Sequence, residues 1–117
     1  MTDQERDIAS LRFASAEDLE NFSGRCEKIN AFFATYGAKW IHDRCLAGTR
    51  VVTLNVGEFK AEAHDHWIMS FWRIEKDGQT IVSGDGVGYP VAILQAGETL
   101  MEHLAPLAAT AEEALRA

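Results

Sequence analysis

The residues of this chain best suited to chemistry stand together at His64-Asp65-His66. On an extended strand alternate side chains share a face, so the two imidazoles could hold one metal, with His42 or Cys45 completing a tetrahedral set. Zinc sites of three or four ligands usually show paired short spacings, and here one His-x-His stands beside scattered candidates. The plainer reading makes these residues a polar loop ahead of an apolar strand starting at Trp67, with no metal and no cofactor. His103 reads as a partner for the dipole at a helix C-terminus.

Ser83-Gly84-Asp85-Gly86-Val87-Gly88 is glycine-rich, and backbone amides in such a segment can cradle phosphate when a helix opens directly after it. It lacks the Gly-Lys-Ser/Thr ending of a P-loop and the glycine spacing of a dinucleotide site. The residues that follow, Tyr89-Pro90-Val91, do not read as a helix start. The segment is therefore expected to be a loop between sheet elements, its glycines supplying positive φ. Asp85 would act as an acid only if other groups converged on it. Neither a Gly-x-Ser-x-Gly elbow nor a Cys/His signature is present, which leaves Ser70, Ser83 and Cys45 ordinary and no residue assigned as catalytic. Trp40, Trp67 and Trp72 with Phe59 and Phe71 could stack bases, but no basic groove accompanies them.

The elements that must position these residues follow from periodicity. Over residues 16–36, Leu19, Phe22, Cys26, Ile29, Phe33 and Tyr36 recur every three or four positions, which predicts an amphipathic helix. Ser15 serves as its N-cap, acids fill the first turn, and Gly37 falls at the C′ position. Bulky aromatics on the stripe favour packing on a sheet over a coiled-coil seam. Ahead of this helix, Thr2 and Glu5 resemble a capping box, so residues 1–14 read as a short first helix that frays.

Beyond Gly37 the period becomes two. Val52, Leu54 and Val56 mark a half-buried strand, and Trp67 to Glu75 is apolar on both faces, as in a central strand. Asp77-Gly78 is a two-residue hairpin turn, with Thr80, Ile81 and Val82 returning from it. Lys39 to Leu46 and Tyr89 to Leu94 could each add a strand, Pro90 then marking an edge. Helical spacing resumes at Gly97 with Leu100, Leu104, Leu107, Ala111 and Leu115. Pro106 should break or kink that helix, and Thr110 with Glu113 could cap a last one. The expected architecture is α+β: helix 16–36 on an antiparallel sheet of three to five strands, then a C-terminal helix or helices from about 98. Residues 1–117 form a single domain.

Composition bounds the function. Apolar residues at 47% and charged residues at 25% belong to an ordinary globular chain. The net charge of −7 is uneven: −4 over residues 1–27, zero over 28–97 and −3 over 98–117. That balance excludes direct binding to a phosphate backbone, which needs clustered Lys and Arg, and suits a basic partner surface. Apolar runs such as Val91-Ala92-Ile93-Leu94 fall far short of the roughly 18 residues of a membrane span. The polar, acidic start is unlike a signal peptide, so a cytoplasmic protein is expected, with Cys26 and Cys45 as reduced structural thiols.

At 100° per residue, Glu17, Glu20, Gly24, Glu27 and Ala31 fall opposite the aromatic stripe and give the helix an acidic outer face. The leading expectation is a small non-enzymatic inhibitor, immunity or anti-defence protein that blocks a basic, nucleic-acid-binding surface through Glu17, Glu20 and Glu27. One alternative is a small enzyme or ligand-binding domain with a pocket between helix and sheet, metal-dependent through His64 and His66. Another is a homodimeric structural module.

Overall fold

A computed structural model describes residues 16–44, 49–66 and 69–116. The expectations for residues 1–15, for Cys45 and Leu46 and for Trp67 and Ile68 lie outside the described residues. The elements are α1 (Ala16–Ala34), β1 (Ile41–Arg44), β2 (Arg50–Val56), β3 (Phe59–Asp65), β4 (Ser70–Lys76), β5 (Gln79–Val87) and α2 (Tyr89–Arg116). The strands form one antiparallel sheet in the order β1-β2-β3-β4-β5, each paired with its neighbour in sequence. Both helices lie on one face of that sheet, so the fold is α+β with two layers.

α1 ends as its sequence dictates. The Ala38 amide donates to Phe33 O at 3.1 Å and the Gly37 amide to Ala34 O at 3.0 Å, the paired bonds of a Schellman end, with Gly37 at φ +67°. Phe22, Ile29 and Phe33 enter the core and Cys26 packs against it, but Leu19 and Tyr36 are exposed, so the ends of the stripe leave the core. Burial pushes the Cys26 thiol upward, against the pull of Arg25, which suits an inert structural cysteine.

The hairpin at Asp77-Gly78 forms as expected, with φ +53° and +81° at the two turn residues. A second two-residue turn, with Gly57 at φ +57°, joins Val56 to Phe59 and opens β3. The plain reading of His64-Asp65-His66 as loop is thereby corrected: His64 and Asp65 close β3 and His66 follows it. The inward residues of β3 are Phe59, Ala61 and Ala63, and two alanines carry too little hydrophobicity to announce a strand. β4 is central, but its outward residues are Phe71, Arg73 and Glu75, so it is not apolar on both sides.

The glycine-rich segment is also corrected, because Ser83 to Val87 belong to β5. Gly84 pairs with Trp72, whose indole lies flat over it. A Cβ built at Gly84 would stand 2.6–2.8 Å from the Trp72 ring atoms. The same indole donates from Nε1 to Gln95 Oε1 at 3.0 Å, linking sheet to α2.

α2 starts at Tyr89, eight residues before the expected resumption at Gly97, and the Tyr89–Leu94 strand does not form. Its first turn closes with the Ala92 amide donating to Gly88 O at 2.9 Å. Pro90 sits where an amide has no helical partner to lose, so it fits a helix start as well as a strand edge. Gly97 is interior to α2, where Ile29 of α1 and Trp40 approach so closely that a Cβ would lie 2.5 and 3.2 Å from them. The helix is continuous through Pro106 to Arg116, so Thr110 and Glu113 cap no separate helix, and His103 lies well before its C-terminus. A proline removes one backbone bond and can bend a long helix without ending it. No helix among the described residues is long and apolar enough to cross a membrane.

Two glycines give opposite expectations for alanine substitution. Gly24 is an exposed helical residue with open space around its Cβ position, so Gly24→Ala should stabilise by about 0.5–1 kcal/mol. Gly84→Ala forces a methyl into the Trp72 ring and should destabilise by about 1–3 kcal/mol. Urea denaturation of the two variants measures both signs.

Candidate functional site

Alternation along five strands sorts the sheet into two faces. Val52, Leu54, Ala61, Ala63, Trp72 and Ile74 point to the helices and are buried. Register fixes what stands on the other face, which no helix among the described residues covers. One cross-strand row there runs Asp43, Val51, His64, Phe71, Asp85 and the next runs Ile41, Thr53, Glu62, Arg73, Ser83. A third carries Asn55, Lys60, Glu75 and Thr80.

Glu62 is the centre of this face. It is only 5% exposed although no element among the described residues lies over this face, because longer neighbours close around it. Lys60 Nζ reaches its Oε1 at 2.6 Å; Arg73 donates from Nε and Nη2 to Oε2 at 2.8 and 2.7 Å; His64 Nε2 lies 3.1 Å from the same oxygen. Burial alone would push this carboxyl up. The hydrogen bonds from Lys60, His64 and Arg73, with the charge of Arg73, outweigh that and hold it at about 2. Glu75 lies 3.7 Å from Lys60 and 3.9 Å from Arg73, so these four charges balance within the sheet.

The aromatic row is ordered by the same neighbours. Phe71 stacks on His64 with ring centroids 4.6 Å apart and planes 8° from parallel, and on His66 at 5.2 Å and 25°. The imidazoles are 6.1 Å apart, so Phe71 spans both. Beyond Phe71 toward β5 lies an open depression of about 430 Å³, lined by Met69, Phe71, Arg73, Thr80, Ser83 and Asp85 among others.

The His-Asp-His cluster divides across the sheet. His64 and His66 share the uncovered face, as alternation predicts. Asp65 turns to the helical side, where Arg50 binds its Oδ2 from Nε at 3.0 Å and Nη2 at 2.5 Å, and Ser70 Oγ donates to Oδ1 at 3.4 Å. The Arg50 guanidinium also lies 4.5 Å over the Tyr89 ring, tying the end of the sheet to the start of α2. His42 cannot join His64 on a metal: it pairs with Val52 and His64 with Val51, so they occupy opposite faces. Among the described residues no group of three His, Cys, Asp or Glu side chains is arranged to hold a metal ion.

The described members of the stacking platform do not come together: Trp72 and Phe59 are buried, Trp40 packs on the core, Phe71 stands on the other face of the sheet, and Trp67 lies outside the described residues. Glu17, Glu20 and Glu27 are exposed on α1, as expected. Lys60, Glu62, Arg73 and Glu75 belong to no motif, although Lys60-x-Glu62-x-His64 and Phe71-x-Arg73-x-Glu75 alternate as paired strands should. No family model, curated protein or solved structure matches this chain.

The position of Glu62 makes a pH prediction. Its carboxyl is lower in the folded than in the unfolded chain, so its stabilisation is complete above the ordinary glutamate range near pH 4.3 and is lost as pH falls toward 2. The loss is about 3 kcal/mol. Wild-type stability, measured by urea denaturation across that interval, should fall more steeply than that of Glu62→Gln, which has no such proton to take up.

Proposed function

We propose that the protein is a non-enzymatic binding protein of the inhibitor, immunity or anti-defence kind, which covers a basic, nucleic-acid-binding surface of a partner with the outer face of α1. The observation that carries this reading is the direction taken by Arg25. Its guanidinium reaches from α1 to Glu98 on α2, and that carboxylate raises its proton affinity further. The Arg25 charge is thus matched between the helices, which leaves Lys28 as the exposed cation of α1 beside three outer glutamates.

Glu17, Glu20 and Glu27 remain exposed and form no ion pair among the described residues. Like charges on one helix face cost a few tenths of a kcal/mol, which a purely structural face has no reason to accept. Exposed carboxylates on a chain of net charge −7 would draw a cationic partner and orient it toward α1.

The test is affinity capture from the native cell, identification of a stoichiometric basic partner, and titration of that purified partner. Glu17→Lys with Glu20→Lys and Glu27→Lys should weaken binding roughly tenfold or more, as expected for a loss of about 1.4 kcal/mol. Binding should also weaken as salt rises. Unchanged affinity of a triple variant with wild-type circular dichroism would remove α1 as the binding face.

A further inference from the structure

The depression between β4 and β5 carries the chemistry of a cation site. Phe71 has one ring face covered by His64 and His66, which stand on the β3 side of it. With that face covered on the β3 side, the opposite one is turned toward β5, and Phe71 lines the depression there. Directly across on β5 stands Asp85, the register partner of Phe71, and side chains so paired have Cβ atoms about 4.5–5.5 Å apart. Asp85 is exposed and forms no ion pair among the described residues. Thr80 and Ser83 add hydroxyl oxygens, and the Met69 thioether adds a polarisable apolar edge.

We infer that this depression binds an organic cation, a guanidinium or alkylammonium group held between the free face of Phe71 and the Asp85 carboxylate. Both halves of that recognition are known physical attractions: a cation within about 6 Å of a ring centroid meets the negative face of the ring, and a carboxylate accepts its N–H donors. The imidazoles behind Phe71 fix the ring upright, so little side-chain freedom is lost when the cation arrives.

Arg73 also lines the depression and would repel a cation if its charge were unmatched. Glu62 at 2.7 Å and Glu75 at 3.9 Å match it, so Asp85 sets the local sign. The volume of about 430 Å³ falls within the range of small-ligand pockets and accommodates the end of a lysine or arginine side chain with its methylenes along Met69. The site is on a different face from the α1 carboxylates and does not depend on the function proposed for them.

Titration of the full chain with capped arginine (N-acetyl-arginine N-methylamide), followed through backbone amide shifts, tests the inference. Saturable shifts at Phe71, Gly84 and Asp85 are expected, with capped citrulline, the neutral isostere, binding at least tenfold more weakly. Asp85→Asn, a conservative change on an exposed strand position, should weaken capped arginine at least tenfold. Phe71→Leu should also weaken it, while the triple lysine variant of Glu17, Glu20 and Glu27 binds as wild type. A parallel titration with n-butylammonium, the lysine side chain without its backbone, distinguishes the group bound: tighter binding of capped arginine identifies a guanidinium, and tighter binding of butylammonium an alkylammonium. Equal binding of citrulline, wild-type affinity in Asp85→Asn, or no saturable shift with either cation would overturn the inference.

Discussion

A carboxylate buried on a sheet face that no helix among the described residues covers must find its counter-charges within the sheet. Glu62 does so through Lys60 two residues before it and Arg73 directly across the ladder, with the His64 ring two residues after it within hydrogen-bond reach. The arrangement works because strand alternation puts all four side chains on the same side and the Glu62–Arg73 register brings two strands together. Burying a charge costs far more than an exposed ion pair contributes, and the several bonds to Glu62 together offset that cost. The register of β3 against β4 is therefore specified on both faces at once, by Ala61, Ala63, Trp72 and Ile74 inside and by Glu62 and Arg73 outside.

That double specification has consequences for shape. His64 is drawn to Glu62, which places its ring against Phe71, and Phe71 is held away from the core side of β4 that Trp72 occupies. The depression toward β5 lies between Phe71 and the shorter side chains of Ser83 and Asp85. The helical side shows the complementary device. Alanines in β3, Gly84 under Trp72 and Gly97 beside Ile29 thin the layers where large residues cross, and the core closes around Phe33, Ile29, Leu54, Ile74 and Leu94.

Charge is divided between the layers. Sheet residues largely neutralise one another, whereas on α1 Arg25 pairs sideways with Glu98 of α2 and Glu17, Glu20 and Glu27 stand exposed. A molecule built this way offers two unlike surfaces: a long-range acidic field from the helix and, on the opposite side, a short-range slot whose sign depends on one aspartate. In the proposed functions the first serves encounter with a cationic surface, and the second discriminates by the shape and donors of a single group.

The local features of this protein were legible in its sequence because each depends on residues a few positions apart. The three-and-four spacing from Phe22 to Phe33 specifies α1, Gly37 its end, Asp77-Gly78 a hairpin, and the alternation of Val52, Leu54 and Val56 a strand. The face of the sheet left uncovered, and the residues gathered on it, were not legible. Two alanines hid β3, the glycines of β5 read as loop because the Trp72 ring that fills their place comes from another strand, and Pro90 fits a helix start or a strand edge equally well. Whether His42 could meet His64, and which side Asp65 would take, depended on pairing register between β1, β2 and β3. Only the tertiary structure decided these points, since a one-residue change of register moves every side chain of a strand to the other face and no local pattern records which register the packed core selects.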